Sequence, residues 1–295
     1  MIRHGGLVER AAPVLFLLLW SGGYIAGRLG LAHATPIAMV AIRFVLAAVI
    51  FTLIALVLRA HWPRGTQLFW VALVGLLNLG VHFVLVYLAF ASGVGAGTAA
   101  LINALQPVIT ACIAMPLLGE RVRPWQWLGL VLGLVGVTLV IWNKLALGLG
   151  TPGGIALVFA AMLALTGGVL LQKRFCPSFD LWAGGTVQYL AAAAFSVAAA
   201  FIAETPSVTL APGFLGVMAY LVLANSVVAV TLLNLMIHRG EAARVTSLLY
   251  LVPGLAALLA WLILGETFSL LAMLGLVAAG AGVWLVLAGG SIRRS

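Results

Sequence analysis

Asn103, Gln106 and Thr110 are spaced i, i+3 and i+7, which on a helix places two amides and a hydroxyl along one stripe. Asn78 and His82 stand one turn apart on a second helical face, and Trp20 and Tyr24 set two aromatic rings one turn apart on a third. Tyr250 precedes Pro253 by three residues, and Asn225 interrupts a long apolar run. These groups donate and accept hydrogen bonds and offer ring faces for stacking. They suit holding a small neutral or zwitterionic molecule. Bond-breaking chemistry asks for positioned acids, bases or nucleophiles. The chain has no His-Glu-x-x-His, no paired aspartates within an apolar run and no Gly-x-Ser-x-Gly. An enzyme is therefore not expected, nor a metal site or cofactor. Structural readings compete with binding: an asparagine can tie two helices together, His82 can pair with a backbone carbonyl, and the rings can be ordinary packing.

The elements that must position these residues are membrane helices. Hydrophobic residues make up 64% of the 295, only 7% are charged, and the mean hydropathy is +1.24. A soluble domain holds about 45–50% apolar residues. Runs long enough to cross a hydrocarbon core of about 30 Å fall near residues 12–31, 36–58, 67–89, 96–118, 125–142, 154–171, 181–203, 213–237, 242–264 and 270–288. The expected fold is thus an all-α integral membrane protein of ten transmembrane helices. The basic start before span 1 has the outline of a signal peptide, but span 1 has a repeat partner in span 6 and is read as a permanent helix.

A net charge of +9 raises the question of nucleic acid, and the placement of the charge answers it. With ten spans, Arg3, Arg10, Arg59, Arg64, Arg121, Arg123, Lys173, Arg174, Arg239, Arg244, Arg293 and Arg294 share one side; Arg28 and Lys144 lie opposite, and Arg43 is inside span 2. That asymmetry obeys the positive-inside rule and puts both termini in the cytoplasm of a multi-pass bacterial inner-membrane protein. The partners expected are lipid and a small-molecule substrate, not nucleic acid. Cys112 and Cys176 fall in a span and a cytoplasmic connector, where a disulfide is not expected.

The chain also repeats itself. Shifted by 146, Pro107 meets Pro253, Gly119-Glu120 meets Gly265-Glu266 and Gly129-Leu130-Val131 meets Gly275-Leu276-Val277, part of 15 identities over residues 105–140. At a shift of 147 Asn78 meets Asn225; at 145 Gly22-Gly23 meets Gly167-Gly168, Arg28 meets Lys173 and Arg43 meets Gln188. The two halves, 1–146 and 147–295, hold five spans each, and an odd number turns the second half upside down. Such symmetry places a binding site near the midplane between halves, which nominates Trp20, Tyr24, Asn78, His82, Asn103, Gln106, Thr110, Asn225 and Tyr250 for substrate. Arg43, Pro107, Pro253, Glu120 and Glu266 are read as gating or structural residues. Arg43 has no acid in its span, so its partner must be carbonyls, another helix or an anionic substrate. The small faces Gly129, Gly133, Gly136 and Gly275, Ala279, Gly282 fit close packing of spans 5 and 10 within the chain, or a homodimer through them.

A proline within span 4, Gly-Glu at its end and a glycine-rich span 5, all duplicated, together with Leu19-Trp20-Ser21-Gly22-Gly23, Pro36 and Arg43, resemble the drug/metabolite transporter superfamily, specifically its EamA-type repeats. Among members the chain looks most like the YddG-type amino acid exporters. The resemblance implies alternating access, with the halves rocking about helices 3, 4, 8 and 9 while helices 1 and 6 gate the site. It implies export or exchange of small neutral or zwitterionic metabolites, amino acids with aromatic or apolar side chains foremost, with nucleosides and sugars as the alternative. Coupling to protons through His82 and facilitated diffusion both remain open.

Overall fold

Proline and glycine punctuate the helices. In the computed structural model, Pro36, Pro152 and Pro212 each open a helix, where a missing backbone donor costs nothing. Gly265, at φ 67°, closes one: the Glu266 N–H reaches back to the Ala260 carbonyl at 3.1 Å, a wrap that only a left-handed residue allows. The structure describes residues 7–106, 109–110, 113, 124–146, 150–176, 178–232, 236 and 251–288.

Among these residues ten helices follow one another: α1 (Leu7–Gly30), α2 (Pro36–Val57), α3 (Gly65–Ala91), α4 (Ala96–Asn103), α5 (Pro124–Ala146), α6 (Pro152–Phe175), α7 (Leu181–Ala203), α8 (Pro212–Leu232), α9 (Val252–Leu264) and α10 (Leu270–Ala288). Six of them, α1 to α3 and α6 to α8, are long and apolar enough to cross a membrane. α2, α7 and α10 begin and end within a residue of the spans read from hydropathy. α3 and α8 each contain a widened turn with π-type hydrogen bonding, at Leu76–Val81 and Tyr220–Ala229. Each widening holds one of the matched asparagines, Asn78 or Asn225.

Two long seams join the halves. α2 meets α7 through aromatic rings: Phe51 packs on Trp182 and Tyr189 with centroids 5.3 and 4.9 Å away, and Phe44 packs on Tyr189 at 5.9 Å. α5 meets α10 through backbone. A Cβ on Gly275 would lie 2.6 Å from the Gly136 carbonyl oxygen, and one on Gly282 would strike the Gly129 carbonyl and the Gly133 backbone. The glycine faces are spent on each other within one chain. Outside these seams the helices present Leu, Val, Ile and Trp outward, Trp142 and Trp284 among them, as a lipid-facing surface requires.

We call the face where α1 ends the upper face and the face where it begins the lower. On the upper face the α1–α2 and α7–α8 connectors pair: Thr35 N–H donates to Ser207 O at 2.9 Å and Thr209 N–H to His33 O at 2.7 Å, flanking an antiparallel bridge between Ala34 and Val208. Glu204 completes this clasp by accepting from Thr35 Oγ1 (2.7 Å) and from the Ala38 N–H (2.7 Å) at the start of α2. On the lower face Asp180 caps its own helix through the Trp182 and Ala183 amides at 2.9 and 3.1 Å. Gln67 Nε2 donates to Ser178 O at 2.8 Å in the same corner.

Candidate functional site

Between α1 and α4 of the first half and α6, α9 and α10 of the second lies a cavity of about 300 Å³, at the small end of the range for small-molecule sites. Trp20, Tyr24, Asn103, Gln106 and Pro253 line it, and none of its described lining residues is charged. The structure thus brings together four of the residues nominated for substrate, with Pro253 from the gating or structural set beside them. Trp20 rests against Phe16, centroids 5.4 Å apart, and beside the small cluster that includes Ala229 and Leu232 of α8. Asn103 is 8% exposed and its Nδ2 donates to the Tyr24 hydroxyl over 3.5 Å, while its Oδ1 is enclosed and has no partner among the described residues. Gln106 Nε2 donates to Thr110 Oγ1 at 3.3 Å, and that hydroxyl donates back to the Gln106 carbonyl at 2.7 Å. Thr110 therefore supports Gln106 and is not itself among the lining residues.

Asn78, His82 and Asn225 are placed elsewhere. Asn78 and His82 do share a face of α3, and that face meets α6. The Asn78 amide fills the space a side chain on Gly168 would need, and His82 Nδ1 lies 3.0 Å from the Ala161 carbonyl. Asn225 fills the equivalent space over Gly23 and donates through Nδ2 to the Leu19 carbonyl at 2.9 Å. Its Oδ1 accepts from Arg43 Nη2 at 2.7 Å, and Ser226 Oγ accepts from Arg43 Nε and Nη2 at 3.4 and 3.3 Å. The guanidinium also lies over the Phe83 ring at 4.6 Å. Of the partners open to Arg43, the structure supplies another helix.

Glu266 accepts from the Ala96 N–H at 2.7 Å, so the end of α9 caps the start of α4. Negative charge at a helix start satisfies free amides and complements the dipole. Pro107, Glu120 and Tyr250 lie outside the described residues.

Sequence reasoning missed the apolar wall: Ala100, Leu101, Ala104, Leu165, Val252, Gly254, Leu276, Ala279 and Gly280. Such residues are common in every span, so no local signal marks the ones beside a void. It also missed Glu204, whose signal is faint: a carboxylate just past one span can cap another, and only the fold says which.

Comparison with known proteins adds to this geometry. Residues 12–142 and again 152–288 match the model of the EamA-like transporter family. The inner membrane transporter YedA of Escherichia coli (strain K12) is 32% identical over 262 residues, covering 88% of this chain and 84% of its own. A protein of Salmonella typhimurium (strain LT2), named "Probable amino-acid metabolite efflux pump", is 24% identical and covers 96% of this chain and 95% of its own. A protein of Streptantibioticus cattleyicolor, named "Probable terminal-alkyne amino-acid exporter", is 27% identical, with 93% and 92% covered. A solved crystal structure superposes with a TM-score of 0.62 at 18% identity, covering 94% of this chain and 96% of that one, which speaks to the fold.

Proposed function

The chain belongs to the EamA-like transporter family, and from that premise we propose that it moves small neutral or zwitterionic metabolites, amino acids with aromatic or apolar side chains foremost, across a bacterial inner membrane. The observation that carries this reading is the cavity between the halves, whose described lining residues are uncharged, with Trp20 and Tyr24 for stacking and Asn103 and Gln106 for hydrogen bonds. Pro253 lines the same cavity from the first turn of α9, where its missing backbone donor costs nothing. The names of the Salmonella and Streptantibioticus relatives agree with amino-acid cargo, and YedA's agrees with the inner membrane.

The proposed mechanism is alternating access, the two halves rocking so that the cavity faces one side and then the other. The arginine and lysine distribution supports a cytoplasmic side for both termini. His82 does not line the cavity and pairs with the Ala161 carbonyl, which favours facilitated exchange over a proton relay through this residue. Purified protein in liposomes, loaded with one solute and offered labelled amino acids or nucleosides outside, tests the reading. Counterflow of aromatic and large apolar amino acids is expected. Counterflow confined to nucleosides or sugars would replace the cargo and leave the transporter.

A further inference from the structure

Two glycines belong at once to the wall of the cavity and to the outer surface of the protein. Gly254 of α9 and Gly280 of α10 both line the cavity, both are exposed, and a Cβ on either would meet no described atom within 4 Å. Each stands in the outward stripe of its helix. Gly254 shares that stripe with Leu251, Leu258 and Trp261, and Gly280 with Met273, Val277 and Trp284, all exposed and at helical spacing. Gly254 lies ten residues before Leu264, where α9 ends, and Gly280 ten residues after Leu270, where α10 begins. At 1.5 Å per residue both sit about 15 Å from the connector that joins the two helices, which is the middle of a hydrocarbon core about 30 Å thick. An exposed wall at that depth meets lipid tails and not water. α9 packs on α1 and α4, and α10 packs on α5, so these consecutive helices lean on different neighbours.

We propose that the cavity opens sideways into the bilayer between α9 and α10, and that its cargo includes zwitterionic amphiphiles: amino acids whose unbranched alkyl side chains run out past Gly254 and Gly280 into the hydrocarbon. The idea rests on the cavity being the cargo site. The polar side chains Tyr24, Asn103 and Gln106 of its wall all come from the first half, and its described lining from the second half is apolar. A cavity of about 300 Å³ closed all round sets a limit on side-chain length; a mouth at the midplane removes it. Glycine at both places keeps that mouth free of side chains.

Calorimetric binding to the purified protein in nanodiscs, with empty nanodiscs as the blank, tests this with L-phenylalanine and the unbranched series 2-aminohexanoate, 2-aminooctanoate and 2-aminodecanoate. Affinity of the parent is expected to climb through the whole series by about fourfold per methylene, the worth of taking each one out of water. Gly254→Leu and Gly280→Leu each put a side chain across the mouth without striking a packed neighbour. Both should bind L-phenylalanine and 2-aminohexanoate within a few-fold of the parent, and 2-aminodecanoate about tenfold or more weakly. A parent affinity that stops rising at 2-aminohexanoate, losses in the leucine variants that are equal at every chain length, or no loss at any length overturns the mouth. So does a phospholipid chain that survives delipidation and is not displaced by 2-aminodecanoate. A parent that shows the chain-length pattern yet exchanges no amino acid in liposomes sinks the amino-acid transport reading and leaves the mouth standing. One that exchanges L-phenylalanine and refuses 2-aminodecanoate does the reverse.

Discussion

Arg43→Ala removes the donor that holds Asn225 Oδ1 and Ser226 Oγ, and leaves a buried asparagine oxygen without its partner. That costs about 1–3 kcal/mol, so thermal unfolding in detergent should begin at a lower temperature. Arg43→Lys should not repair it, because one ammonium cannot reproduce the fork that reaches two residues of α8. A lysine variant with the parent's melting curve would refute the network's importance. Three carboxylates are also committed to structure: Glu204 to the start of α2, Glu266 to α4 and Asp180 to α7. Glu204→Ala should destabilise by about 0.5–2 kcal/mol, the usual worth of an N-terminal cap. Thermal shift without loss of substrate affinity is the expected pattern, and a change confined to affinity would argue against it. Asn103 and Gln106 were legible from sequence because amides on a lipid-bound helix must face something polar. The same argument covered Asn78, His82 and Asn225 and could not separate them, since an amide facing another helix and an amide facing a cavity satisfy the same rule.

At the scale of the helix, hydropathy and punctuation carried almost everything. α7 runs from Leu181 to Ala203 and α10 from Leu270 to Ala288, as the apolar runs between Asp180, Glu204 and Ser269 dictate. The widened turns in α3 and α8 had no such signal, because their residues have no composition of their own. The glycine series of α5 and α10 was visible as a small face, yet its partner was left open between the chain itself and a second copy. Gly136→Leu tests its use. A Cβ there collides with the backbone of α10 at Gly275 and Ala279, and no rotamer change relieves a backbone clash, so folded yield should fall sharply. Gly254→Ala is the control: a Cβ there meets nothing within 4 Å, and yield should be unchanged. Equal yields from both variants would mean that α5 and α10 part readily.

Across the whole molecule the duplicated sequence becomes a crossed structure. Asn225 of the second half closes over Gly23 of the first, and Asn78 of the first over Gly168 of the second, so both matched glycine–asparagine pairs bridge the halves. Sequence matching found the mates and could not show that they exchange partners. The upper clasp gives a direct test of rocking. Ala34 and Val208 face each other at a position flanked by the two backbone bonds, where Cα atoms stand about 4.5 Å apart, close enough for a disulfide. In a background lacking Cys112 and Cys176, oxidised Ala34→Cys, Val208→Cys protein should lose exchange and regain it on reduction. Unimpaired exchange in the oxidised form would show that the clasp stays shut throughout the cycle. The two seams differ in kind, and this has a mechanical consequence. Rings can slide and tip while remaining in contact, so in the proposed rocking α2–α7 is expected to serve as a bearing. Backbone lying in glycine notches has no such play, so in the proposed rocking α5–α10 is the expected pivot, rather than helices 3, 4, 8 and 9: displacement grows with distance from it, and labels beside α5 and α10 should report almost no travel while the clasp opens and shuts.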